Sequence, residues 1–281
     1  MKLSIRTVVA MATFGALAAV VVPIVAAPAA NATGPNIYAI DTAGEVLTLT
    51  SNLNNNPATV LARHALTGLA SGDVAVGLDR RKADGKLWLV TNNEAGAHLY
   101  TVDPTTGATT PQAELRNEGD PTAPVVLSGG NFGTDIDPVT DTMRVVSSTG
   151  QNLHVQLGAV IVGSRFLNPG DTTIDTNTSI TGIQGAAYAG APADAELYTV
   201  SQRKLYTQNG SGGVETFVAG LQSFSNTTSG FDIVDTGSGY VAYYARGLTT
   251  NSSVYVLDLT TGGTTRLLTT PTGTVLLEIA L

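Results

Sequence analysis

A unit of about fifty residues recurs along this chain, and a repeat of that length restricts the fold more tightly than composition does. Its clearest marker is a glycine two residues before an acid: Gly77-Leu78-Asp79, Gly133-Thr134-Asp135 and Gly230-Phe231-Asp232. Gly185-Ala186-Ala187 has the same surroundings without the acid, and these four glycines are 56, 52 and 45 residues apart. An apolar strand follows each of the acid-bearing markers, at Leu87 to Val90, Met143 to Val146 and Tyr240 to Tyr244. A second marker is a short aromatic strand: Ile37-Tyr38-Ala39-Ile40-Asp41, Leu99-Tyr100-Thr101-Val102-Asp103, Leu197-Tyr198-Thr199-Val200-Ser201 and Val254-Tyr255-Val256-Leu257-Asp258. Three of these run into turns that reach Gly44, Gly107 or Gly262 before another strand begins, which is hairpin chemistry.

A four-stranded module with this period is the blade of a β-propeller. Each blade packs between two neighbours, so its strands are apolar on both faces. The chain is therefore expected to be all-β, a β-propeller of five four-stranded blades. About three strands between Ile37 and Ala62 open it, and Val275-Leu276-Leu277-Glu278-Ile279 supplies one more at the end. The C-terminal strand is expected to pair with the N-terminal strands and close the ring. A two-sheet sandwich shares the short strands and turn glycines but requires neither the period nor a lone final strand. Ala58 to Leu69 is the one segment suited to a short helix, and Glu114 to Pro124 and Leu167 to Ile180 read as long loops.

Lys2 and Arg6, the apolar stretch Val8 to Ala27 and the small-x-small pattern Ala30-Asn31-Ala32 read as a secretory leader cut after Ala32. Residues 1–32 are then a signal peptide and residues 33–281 a single propeller domain, secreted and extracellular. Pro23 interrupts the apolar stretch and no basic stop-transfer cluster follows, so no stable membrane anchor is expected. The chain has no cysteine, which excludes disulfides, thiolate metal sites and cysteine nucleophiles and fits a bacterial exported protein. The net charge of −8 becomes more negative once Lys2 and Arg6 leave, repelling nucleic-acid phosphates and anionic lipid. No nucleic-acid partner is expected.

The run Gly133-Thr134-Asp135-Ile136-Asp137-Pro138-Val139-Thr140-Asp141-Thr142-Met143-Arg144-Val145-Val146-Ser147, continuing to Gly150-Gln151-Asn152-Leu153, resembles the bacterial domain-of-unknown-function family 4394. That family combines a G-T-D-x-(N/D)-P turn, an L-R-V-V-S strand and a T-G-Q-N-L hairpin. Leu99 to Gly107 and Gly230-Phe231-Asp232-Ile233 fit it too, so the resemblance spans the mature chain. It implies an exported β-propeller and brings no catalytic set. His154 stands where the family pattern has Arg or Lys, and Val155-Gln156-Leu157-Gly158 lacks the usual Asn-Pro-Asp-x-Thr-Gly turn, so the third blade departs from the pattern at its outer edge.

Enzyme signatures are missing: no nucleophile elbow, zinc-protease helix, phosphate loop or dinucleotide fingerprint is present. His64, His98 and His154 have no metal-ligand spacing. Asp135, Asp137 and Asp141 lie close together, but their spacing misses the calcium-loop pattern and reads as turn capping. A wider set carries more chemistry. Asp79, Asp135 and Asp232 occupy equivalent positions in their repeats, with Glu278 as the nearby acid on the closing strand. If these side chains point inward they form a ring of carboxylates that repel one another unless a proton or a cation intervenes, so they are the candidate metal ligands and Ca²⁺ the candidate ion. Trp88, Tyr100, Tyr198, Tyr206 and Tyr255 recur at equivalent strand positions and read as packing between blades, and adjacent Tyr243 and Tyr244 must face opposite sides. The leading functional expectation is a monomeric binding or scaffold propeller, without catalysis, for a protein or small-molecule ligand. The alternative is a metal-dependent hydrolase or lactonase-like enzyme using a channel cation.

Overall fold

The computed structural model describes residues 36–50, 59–163, 165–190, 195–222 and 230–281. The expected leader and its cleavage point lie outside them. Blade 1 begins with β1 (Ile37–Asp41), β2 (Glu45–Leu49) and β3 (Val60–Ala65). Blade 2 is β4 (Val74–Arg80), β5 (Leu87–Asn92), β6 (His98–Val102) and β7 (Thr109–Glu114). A hairpin of β8 (Arg116–Asn117) and β9 (Asp120–Pro124) precedes blade 3, which starts with β10 (Phe132–Ile136), β11 (Thr142–Ser147) and β12 (Asn152–Gln156). A second hairpin, β13 (Val160–Val162) and β14 (Arg165–Leu167), leads to β15 (Asp171–Ile174). Blade 4 is β16 (Ile183–Ala189), β17 (Glu196–Ser201), β18 (Lys204–Asn209) and β19 (Val214–Gly220). Blade 5 is β20 (Phe231–Asp235), β21 (Tyr240–Gly247), β22 (Ser252–Leu257) and β23 (Thr264–Thr269). The last strand, β24 (Leu276–Ala280), returns to blade 1, giving the order β24-β1-β2-β3 with Tyr38 opposite Ala280 and Ile40 opposite Glu278. The molecule is a five-bladed β-propeller closed by its own C-terminal strand.

Two local expectations give way. The segment suited to a helix is β3, whose burial alternates strictly from Val60 to Ala65, a period of two that only a strand supports. The expected loops 114–124 and 167–180 carry β8, β9 and β15. β8 pairs in parallel with β15, so blade 3 is six strands wide. Its departure from the family pattern after His154 coincides with the inserted β13–β14 hairpin.

Turn chemistry fixes the hairpins. Asp41 Oδ1 accepts the N–H of Ala43 at 2.9 Å, Asp103 Oδ1 that of Thr105 at 2.8 Å, and Asp258 Oδ1 that of Thr260 at 2.8 Å. The glycines that follow, Gly44, Gly107 and Gly262, have φ of 74°, 75° and 69°, a region that disfavours side chains.

The core is divided among the blade interfaces. One cluster, with Trp88, Leu99, Met143, Val145 and Leu153, lies between blades 2 and 3. Others join blades 1 and 5 through Ile37, Leu47, Val254 and Ile279, blades 4 and 5 through Leu205, Phe231 and Tyr244, and blades 1 and 2 through Ile40, Val46, Leu78 and Leu89. Trp88, Tyr100 and Tyr255 are buried between blades, which is where their recurrence placed them. The blade 3–blade 4 interface is different. Its apolar cluster is small (Val146, Ile183, Ala186, Tyr188, Leu197), and beside it lies Arg144, which is 1% exposed. The guanidinium donates to Tyr188 Oη at 3.2 Å, Asn152 Oδ1 at 2.9 Å and Asp175 Oδ2 at 2.6 Å, and also meets His154 Nε2. His154 Nδ1 lies 2.5 Å from the same Asp175 oxygen. A buried guanidinium is tolerated only when its donors are met in this way.

The repeat glycines have one shared reason. At Gly77, Gly133 and Gly230 the inner strand presses against its neighbour so closely that a Cβ has no room. A Cβ on Gly133 would overlap the backbone of Gly185 and Ala186, and one on Gly230 would lie 2.6 Å from Ile279 N. Gly133→Ala is therefore expected to cost about 2 kcal/mol, seen as a lower urea midpoint at unchanged slope. Gly220→Ala, where a Cβ meets nothing within 4 Å, is the control and should leave the midpoint nearly in place.

Candidate functional site

The innermost strands β24, β4, β10, β16 and β20 contact one another in sequence around the axis. Each is a sheet edge, so amides on its axial side lack ladder partners and need acceptors from elsewhere. The repeated aspartates supply them across blade boundaries. Asp79 Oδ2 accepts the N–H of Ile136 in blade 3 at 2.8 Å, and Asp232 Oδ2 that of Leu281, beyond β24 in blade 1, at 2.7 Å. Asp135 Oδ2 accepts that of Tyr188 in blade 4. Asp79 and Asp135 also each accept the amide of the following residue, at 2.6 and 2.9 Å. One carboxylate thus ties its own strand to the next blade.

This arrangement brings the three predicted site residues together. Asp79, Asp135 and Asp232 are all buried and offer oxygens that lie within 4.8 Å of one another. Burial pushes all three carboxyls up; for Asp135 the charges of Asp79 and Asp232 push further, and for Asp232 that of Asp79 does. Asp79 and Asp135 are thus two like charges buried side by side, each pushed toward its protonated form, an arrangement that titrates as a pair.

Glu278 is near the ring but not in it. The residue after each ring position is the one whose amide is captured, and Leu281 follows Ala280, so Ala280 holds the aspartate's place in blade 1 and Ala187 holds it in blade 4. Glu278 occupies the glycine's place, two residues earlier. It is 1% exposed, its Oε1 accepts the amides of Phe231 and Ile279 at 3.1 and 3.2 Å, and its Oε2 is buried without a hydrogen-bond partner. Burial holds its carboxyl well above the ordinary value, and the charges of Asp232 and Asp79 add to this.

Above the ring the channel widens into a cavity of about 580 Å³ opening on one face, within the usual size of small-molecule sites. Asp79, Asp135 and Asp232 form its floor. Its lining includes Arg80 at the end of β4 with Arg81 and Lys82 after it, and Ile233, Val234, Asp235 and Tyr240 from blade 5. Arg81 holds a fork on Asp141 at 2.9 and 2.5 Å, pairs with Asp84 at 3.1 Å and lies 5.3 Å above the Trp88 ring, which fixes the wall to blade 3. The turn reading of Asp137 stands, since its Oδ1 accepts the amides of Val139 and Thr140. Asp141 is a correction: it caps no turn amide, but takes φ of 55° and serves as the partner of Arg81. Tyr188 lines the cavity while its hydroxyl meets Arg144; burial raises its pKa to about 12, so it stays neutral. Sequence reasoning passed over the basic wall. Arg80-Arg81-Lys82 directly after a ring aspartate, in a chain with only 14 basic residues, was the available signal.

A five-bladed propeller with a ring of buried carboxylates beneath an open channel mouth is the class that fold and site define. Residues 48–280 match the family described as Domain of unknown function (DUF4394), and the chain belongs to that family. Among curated proteins none matches the chain. Among solved structures, one in a nidogen/laminin complex is similar at 15% identity and a TM-score of 0.45, over 87% of this chain and 97% of that one. An auxiliary nutrient binding protein from Bacteroides ovatus aligns at 14% identity and 0.40, over 74% and 55%. The major Malassezia sympodialis allergen Mala s 1 aligns at 11% and 0.42, over 83% and 77%.

Proposed function

We propose that this protein is an exported binding propeller whose site is the channel-mouth cavity, with a Ca²⁺-type divalent cation held on the floor by Asp79, Asp135 and Asp232. One observation carries the reading: three buried carboxylates from three blades converge, and none of them has an ion-pair partner among the described residues. An atom centred among oxygens at most 4.8 Å apart lies at most about 2.8 Å from each, near the roughly 2.3–2.6 Å of a Ca–O bond. Three carboxylates leave several positions of a six- to eight-oxygen shell to water or to a ligand entering from the cavity. The described lining contains no serine, cysteine or histidine, so a nucleophile–base pair is not at hand and binding is favoured over acyl transfer.

Calorimetric titration of chelator-treated protein with CaCl₂ is expected to show one ion per chain, and Asp232→Asn to weaken it roughly tenfold or more with the circular dichroism spectrum retained. Absence of binding heat together with an unmoved melting temperature would discard the cation. Turnover of simple lactones or esters by the Ca²⁺-loaded protein would replace the binding reading with the hydrolytic one.

A further inference from the structure

The cation reading leaves open what else the cavity takes, and its walls answer in charge. Of the three basic side chains there, Arg81 is neutralised by Asp141 and Asp84. Arg80 and Lys82 have no carboxylate partner among the described residues; the Arg80 guanidinium reaches only the carbonyl of Gly85, at 3.3 Å. Both are exposed, and both lie on the wall directly after a floor aspartate. In a chain of net charge −8, two uncommitted cations at the mouth of an acidic channel mark the place for an incoming negative group. The blade 5 lining is of another kind, with Ile233, Val234 and the Tyr240 ring beside Asp235, whose Oδ1 accepts the Gly237 amide.

A second, independent observation indicates that the channel is built around something beyond its own atoms. Glu278 Oε2, beside the ring, is buried with no partner, and an acceptor left in that state is costly unless a proton, water or cation meets it. Open cation positions face the cavity that the three aspartates line. A hard cation takes oxygen there, and a hydroxyl next to a carboxylate is a natural chelating pair.

Resting on the cation site proposed above, we propose that the cavity binds a small hydroxycarboxylate, a sugar acid or a compound of like chemistry. Its oxygens complete the shell of the floor cation, its carboxylate is met by Arg80 and Lys82, and its carbon face lies against Tyr240. Neutral sugars lack the group that the basic wall recognises.

The test uses the whole mature chain loaded with Ca²⁺, titrated with D-glucuronate and D-gluconate and, as the uncharged comparison, D-glucose. At least one acid is expected to bind and to raise the melting temperature, with glucose at least tenfold weaker. The Arg80→Ala/Lys82→Ala double variant, whose side chains make no ion pair among the described residues, is expected to lose about tenfold or more in acid affinity while keeping its Ca²⁺ affinity. If Ca²⁺ binds but neither acid does, or glucose binds equally, or the double variant binds the acids as well as the parent does, the ligand assignment is overturned and the cation site stands. If Ca²⁺ itself does not bind, the earlier reading fails and takes this one with it.

Discussion

Deleting residues 275–281 is expected to leave a chain that never reaches a cooperatively folded state. β24 is the innermost strand of blade 1, so its loss strips the ladder from β1 and removes Leu276 and Ile279, which are 0% and 1% exposed. Each such core position is worth about 2–5 kcal/mol, and two of them with a lost ladder rival the roughly 5–15 kcal/mol that holds a whole domain. The same deletion also removes the Leu281 amide from Asp232 and the Glu278 acceptor from Phe231, which releases blade 5 from blade 1. Near-ultraviolet circular dichroism and a melting curve read the outcome. A synthetic peptide of residues 275–281 added in trans should restore part of the native signal. A truncated chain that still melts in one sharp transition would show the closing strand to be dispensable.

The second large effect is in the pH dependence of the metal-free protein. Asp135, Asp232 and Glu278 are all held well above their ordinary values in the folded state, chiefly by burial. The folded chain therefore binds more protons than the unfolded one across the interval between the ordinary carboxylate value, about 4, and the raised ones. Their contribution is complete below that interval and is lost as pH rises through it, at about 1.4 kcal/mol for each unit of displacement. Asp73 and Asp175 act oppositely. Burial raises them, but hydrogen bonds from Tyr100 and His154 outweigh it and hold both low, so their contribution fades only as pH falls below the ordinary range. Metal-free protein should thus melt higher near about pH 5 than near about pH 8. Ca²⁺ at a hundredfold excess over its dissociation constant adds about 2.7 kcal/mol, or roughly 5–10 °C for a chain of this size, and should do so most at the alkaline end. At lower pH a bound ion would have to displace protons from these carboxyls, and titrations there in buffers of different ionisation heat should register the release. Equal melting at both pH values in EDTA, with no response to Ca²⁺, would be incompatible with the carboxylate ring as described.

The ring was legible because it rides on the repeat: three aspartates at one distance from three equivalent glycines must meet if the units are arranged around an axis. The empty place in blade 4 was equally plain at Ala187. Glu278 is the nearby acid expected on the closing strand, but β24 has no glycine to count from, and the capture of the Leu281 amide by Asp232 shows that Ala280 takes the aspartate's position. β8 and β9 escaped notice because Pro121 and Pro124 argue against strands, whereas an outer edge tolerates them. The Arg144 cluster joins residues 31 and 44 positions apart, across a blade boundary, and no local pattern announces such a contact.

Asp79 and Asp135 are each anchored to backbone amides on two blades, and Asp232 to one on the neighbouring blade, with no ion needed to hold them. Little rearrangement then remains for capture itself, so the rate at which a cation enters should follow the shedding of its own hydration water. Mg²⁺, which dehydrates reluctantly and demands a tighter octahedron, is expected to bind the proposed site more weakly than Ca²⁺. The contacts that fasten the sheets to one another would then also set the geometry offered to the ion.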